Sequence, residues 1–88
     1  MSEVNENDRF ECVIINVIDT LRWKGVVVEE SGSGGRVYFG KVQAEGFNYA
    51  PGDILYIGVK RLAQEFEEMK MEVSLYDSED RKLDWTFL

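Results

Sequence analysis

Histidine is absent from the 88 residues, and cysteine occurs once, as Cys12. The first absence removes imidazole acid–base catalysis, histidine triads and histidine metal sites. The second forbids an internal disulfide and any cysteine-cluster zinc site. Proline also occurs once, at Pro51, and no apolar run approaches the roughly 18 residues of a membrane span. The polar start Met1–Arg9 lacks the apolar stretch of a signal peptide. These features predict an intracellular, cytoplasmic chain with no membrane association.

A length of 88 residues holds one hydrophobic core. Hydrophobic residues make up 44% and aromatics 12%, too much for obligate disorder. The reading is a frayed acidic N-terminus over residues 1–8 and a single domain over 9–88. Nearly every segment of that domain carries a strand signature. Phe10–Ile18 is rich in β-branched residues with apolar side chains on both faces. Leu21–Glu30 is a second strand, in which Gly25 marks a bulge or bend. Ser31–Gly35 is a flexible hairpin connection to a third strand, Arg36–Gln43, with Val37 and Phe39 on one side and Tyr38, Gly40 and Val42 on the other. Ala50-Pro51-Gly52-Asp53 is a turn. Beyond it Leu55, Ile57 and Val59 alternate with Ile54, Tyr56, Gly58 and Lys60.

Arg61–Glu68 abandons that alternation for good helix formers, with Leu62 and Phe66 four apart, and predicts a short helical turn plugging a barrel end. Met69, Met71, Val73 and Leu75 alternate with polar neighbours. After Asp77–Asp80, Leu83, Trp85 and Phe87 do the same, giving a final hairpin with one buried face. As a core aromatic, Trp85 would cost about 3–5 kcal/mol on truncation to alanine. Five to six short strands, one needing cover on both faces, favour closure over an open sheet with two adhesive edges. The fold class is all-β: a small closed or partly open antiparallel barrel, OB-type or SH3-like. An OB barrel carries its helix between the third and fourth strands, whereas the expected turn follows the fourth.

Charge is unevenly spread under a net of −7. Residues 20–63 are mildly basic, with Arg22, Lys24, Arg36, Lys41, Lys60 and Arg61 against Glu29, Glu30, Glu45 and Asp53. Both flanks are acidic. The basic segment also holds Trp23, Tyr38, Phe39, Phe47, Tyr49 and Tyr56, and cations beside exposed aromatics make a base-stacking platform. Lys24-Gly25-Val26-Val27-Val28, Val37-Tyr38-Phe39-Gly40 and Gly46-Phe47 together resemble a cold-shock domain over residues 12–60. That resemblance implies a five-stranded OB-type barrel binding single-stranded RNA or DNA. Val26 and Val28 stand where the family stacks two phenylalanines, and Gly40 where it has histidine. The family's binding positions carry over to Lys24, Tyr38 and Phe47, and Arg22, Arg36 and Lys41 are their basic neighbours.

No arrangement of catalytic groups emerges. Glu29 and Glu30 are adjacent on a strand and face opposite ways. Ser31–Gly35 lacks the ending of a phosphate loop. Asp77, Glu79 and Asp80 lack the spacing of a calcium loop. A non-catalytic binding module without cofactor or metal is therefore expected. The favoured partner is a protein with a basic surface, met by an acidic face of Glu65, Glu67, Glu68, Glu72, Asp77, Glu79 and Asp80. The alternative is single-stranded nucleic acid on Arg22, Lys24, Arg36, Tyr38, Lys41 and Phe47. An edge strand also offers a route to a homodimer.

Overall fold

Alternating apolar residues and glycine-marked turns produce five antiparallel strands in the computed structural model. It describes residues 4–19, 21, 23–65 and 68–84, with backbone alone over 63–65 and 68–70. The strands are β1 (Arg9–Asp19), β2 (Trp23–Glu30), β3 (Arg36–Gln43), β4 (Ile54–Glu65) and β5 (Glu68–Tyr76). They form one sheet in the order β3-β2-β1-β4-β5. The sheet curls into a nearly closed barrel. Its margins are joined through Lys82–Asp84, which bridges Tyr76 of β5 (through Lys82) and Val42 of β3 (through Asp84). Inside lie Cys12, Ile14, Val26, Val28, Phe39, Val42, Phe47, Leu55, Ile57 and Leu75.

Bulges explain the strands whose alternation was hard to read. On β1, Ile14 opposes Val28 and Asn16 opposes Val27, so Ile15 is an extra residue. This puts Cys12, Ile14 and Val17 on the core side and gives the strand its two apolar faces. At the expected Gly25 irregularity, Val26 opposes Phe39 while Lys24 opposes Val42. Two residues of β3, Gly40 and Lys41, thus face one of β2. The extra residue turns Val42 inward with Phe39, correcting its assignment to the Tyr38 side.

In place of the helical turn expected over 61–68, the described residues 61–65 and 68 are strand. Arg61, Leu62, Ala63, Gln64 and Glu65 pair with Glu72, Met71, Lys70, Met69 and Glu68, extending the β4–β5 hairpin. A bulge between Val59 and Arg61 breaks the period of two and imitates a helical pattern. So short a run gains too little from helix propensity to resist pairing along a strand edge. The plug is instead the loop after β3. There Phe47 is buried and meets Tyr49 edge-on at 5.1 Å between ring centres. In place of a regular final hairpin, the described residues show the two isolated bridges of Lys82–Asp84. Trp85 and Phe87 lie outside the described residues. Among those residues, no helix is long and apolar enough to cross a membrane.

The turns follow their sequence cues. Gly34, Gly46 and Gly52 have positive φ. The Asp53 carboxylate accepts the Ala50 N–H at 2.8 Å, and the Asp53 N–H donates to the Ala50 carbonyl.

Candidate functional site

Two tyrosines lie across glycines on the outside of the barrel, and they differ in what covers them. Tyr76 of β5 packs over Gly58 of β4, where an added Cβ would overlap the ring. Arg9 also packs on this ring, its guanidinium carbon 4.0 Å from the ring centre and its Nη1 near Gly58. Arg9 is held in turn by Asp80, Nε to Oδ1 2.8 Å. Tyr38 of β3 lies over Gly25 and Gly40. A Cβ on Gly25 would come within 2.7 Å of its hydroxyl oxygen, and one on Gly40 within 3.1 Å of its Cε2. Tyr38 remains 61% exposed, so a large part of this ring faces water. An aromatic laid on a strand glycine shields the bare backbone and gives the sheet a flat exterior.

Register defines the surroundings of Tyr38. Val27 stands opposite it and Asn16 opposite Val27. Ile18 opposes Gly25 and is 44% exposed. The adjoining row carries Val13, Glu29 and Arg36, with the Arg36 Nε 3.5 Å from Glu29 Oε1. Lys41 is exposed on the β3 bulge. The face therefore sets Tyr38, Val27 and Ile18 beside exposed Asn16, with the Arg36–Glu29 pair and Lys41 at its β3 margin.

The other platform candidates are placed differently. Phe47 is buried against the core and offers no stacking surface, because so small a barrel needs it as an end plug. Lys24 lies opposite buried Val42, with its ammonium 2.7 Å from Asp19 and 5.9 Å from the Phe47 ring centre. Arg22 lies outside the described residues.

The acidic candidates do not gather into one described face. Asp77 is buried, 3% exposed, and acts within its turn. It accepts N–H bonds from Glu79 and Arg81 and the Arg81 Nε at 2.9 Å. These bonds, the Arg81 N–H first, hold its carboxyl below the ordinary aspartate value. Asp77 is thus withdrawn from the expected contact surface. Asp80 is paired with Arg9, while Glu79 is exposed 3.9 Å from Arg81. Glu72 is exposed on β5 opposite Arg61. The side chains of Glu65, Glu67 and Glu68 lie outside the described residues.

Cys12 is fully buried, and burial pushes its thiol up to about 11, opposite to what a nucleophile requires. Among the described residues, no group of three or more cysteine, aspartate and glutamate side chains could hold a metal ion.

Sequence reasoning names Tyr38 as a candidate and misses its seat on Gly25 and Gly40. The signal was the placement of Gly25 and Gly40 on strands that pair, legible only once the register is known. The contact of Arg9, Tyr76 and Gly58 joins β1, β4 and β5 and leaves no local pattern. The chain matches no protein-family model, no curated protein and no solved structure.

Proposed function

We propose that the chain is a non-catalytic, single-stranded nucleic-acid-binding module whose contact face is the exterior of β2 and β3. The observation that carries this reading is Tyr38, which lies across two glycines with much of its ring open to solvent. A flat exposed aromatic stacks on any base and contributes about 1–3 kcal/mol per base. Arg36 and Lys41 sit at its margin and supply phosphate contacts. The sheet order, with β1 between β2 and β4, suits an OB-type barrel, whose β2–β3 face takes up oligonucleotides. The resemblance of residues 12–60 to a cold-shock domain points the same way.

The net charge of −7 opposes phosphate, so binding rests on stacking and is modest in strength. In fluorescence anisotropy with a labelled single-stranded oligonucleotide, log K should fall with log salt at a slope near −1.4, at about 0.7 per contact for two contacts. Tyr38→Phe should bind nearly as well as the parent. Tyr38→Ala should weaken binding roughly five- to hundredfold. Circular dichroism would verify that the variants fold. No binding at low salt, or equal binding by Tyr38→Ala, overturns the reading.

The net charge and the exposed Glu72 and Glu79 favour a second reading, a module for a protein with a basic surface. Reversing both charges would then slow association with that protein at low salt. Unchanged rates would remove this reading.

A further inference from the structure

A cavity of about 460 Å³ opens at the end of the barrel away from Phe47, within the size range of small-molecule sites. Its walls are Phe10 of β1, Val37 of β3, Ile57 and Val59 of β4, and Met71 and Val73 of β5. It follows from incomplete closure. Lys82–Asp84 bridges β3 and β5 at the Val42 end, and no bridge among the described residues joins Val37 to β5. Val37 and Val73 are left half-buried, and Met71 is 50% exposed. A chain this small has little apolar surface to leave wet.

We propose that this cavity takes one unbranched aliphatic chain bearing an anionic head group, with the head at Arg36. The walls named above are hydrocarbon and thioether, so they suit a buried segment that needs no hydrogen bonds, and the methionine can adapt to its shape. Polar groups stand only at the mouth. The Arg36 side chain, 65% exposed, and Ser33 both line it there. The mouth also holds Glu30, but its carboxylate is engaged by the Ser33 N–H at 2.7 Å and turned into the hairpin connection. The cation there is the Arg36 guanidinium; its Nε stands 3.5 Å from Glu29 Oε1, and its remaining N–H donors complement a carboxylate or sulfate head.

The test is calorimetric titration of the full chain, at low salt and below micelle-forming concentrations, with decanoate and with decan-1-ol. One decanoate should bind per chain. The alcohol, and decanoate on Arg36→Gln, should each bind roughly two- to fivefold more weakly, as for a solvent-exposed charge contact. Val73→Trp should fill the space and abolish binding of both probes while keeping the parent's circular dichroism. Its oligonucleotide affinity should not change, since Val73 packs against the interior on β5 and Tyr38 is exposed on the outside of β3. Failure of both probes to bind overturns the proposal, as does binding untouched by Val73→Trp. Equal affinity for the alcohol with no effect at Arg36 overturns the anionic head. Decanoate binding seen only in a chain cut after Asp84 would assign the space to residues 85–88 and would also overturn it.

Discussion

Gly58 is paired on both sides, with Arg9 on β1 and Ser74 on β5, and a strand-interior glycine normally weakens a sheet. Here the missing side chain is what admits Tyr76, and a methyl would also come within 2.7 Å of Arg9 Nη1. Gly58→Ala should therefore destabilise by about 1–3 kcal/mol in urea denaturation, the cost of overpacking. In a Tyr76→Ala background the ring is gone and only the far end of the flexible Arg9 side chain remains to be displaced, so the same substitution should become nearly neutral or stabilising through lower unfolded-state entropy. Equal effects in both backgrounds would mean that the ring does not select the glycine. Beside it, Ser74 is 1% exposed, and its hydroxyl has no hydrogen-bond partner among the described residues. An unpaired buried hydroxyl costs about 1–3 kcal/mol, so Ser74→Ala should leave stability unchanged or raise it. A clear loss of stability in urea would reveal a bond that this hydroxyl makes. Neither feature is legible along the chain, because each depends on which residues become cross-strand neighbours.

At the scale of the elements, the strands were readable wherever alternation was unbroken. Leu55, Ile57 and Val59 face the core as their spacing predicts, and the Ser31–Gly35 connection forms the expected hairpin. Reading failed at bulges. Lys60 breaks the alternation of β4 and makes the next residues resemble a helix, while Gly40–Lys41 turns Val42 to the other side. The physical reason is that a bulge puts two residues opposite one, so side-chain parity changes without any change in composition. The Ile15 bulge offers a test. Removing Ile15 leaves one residue between Ile14 and what is now Val17, so Cys12, Ile14 and Val17 still share the inner face. Deleting Val13 instead puts Cys12 and Ile14 on opposite faces. The Ile15 deletion should keep a cooperative urea transition at a lowered midpoint, and the Val13 deletion should lose it. The reverse order would show that the bend supplied by Ile15 matters more than the facing of the core residues.

For the whole molecule, charge competes with itself. The net charge is −7 on a body whose radius of gyration is 13.2 Å. At about 0.01 M salt the screening length is about 30 Å, so every charge senses every other. Self-repulsion then acts against the pairs Arg9–Asp80, Lys24–Asp19, Arg36–Glu29 and Arg81–Asp77. The first three, whose partners are exposed or half-exposed, contribute about 0–1 kcal/mol each, and salt weakens them too. Repulsion among an excess of seven negative charges is the larger quantity. Raising salt at pH 7 should therefore raise the melting temperature by a few degrees, about 4–8 °C per kcal/mol for a domain of this size. Near the isoelectric pH of about 4.5 the repulsion vanishes. Asp77 stays ionised there because its turn holds its carboxyl below the ordinary value, so the Arg81 pair survives. The same salt addition should then leave the melting temperature level or lower it. Scanning calorimetry at both pH values decides the matter: a fall with salt at pH 7 would place local pairing above net charge.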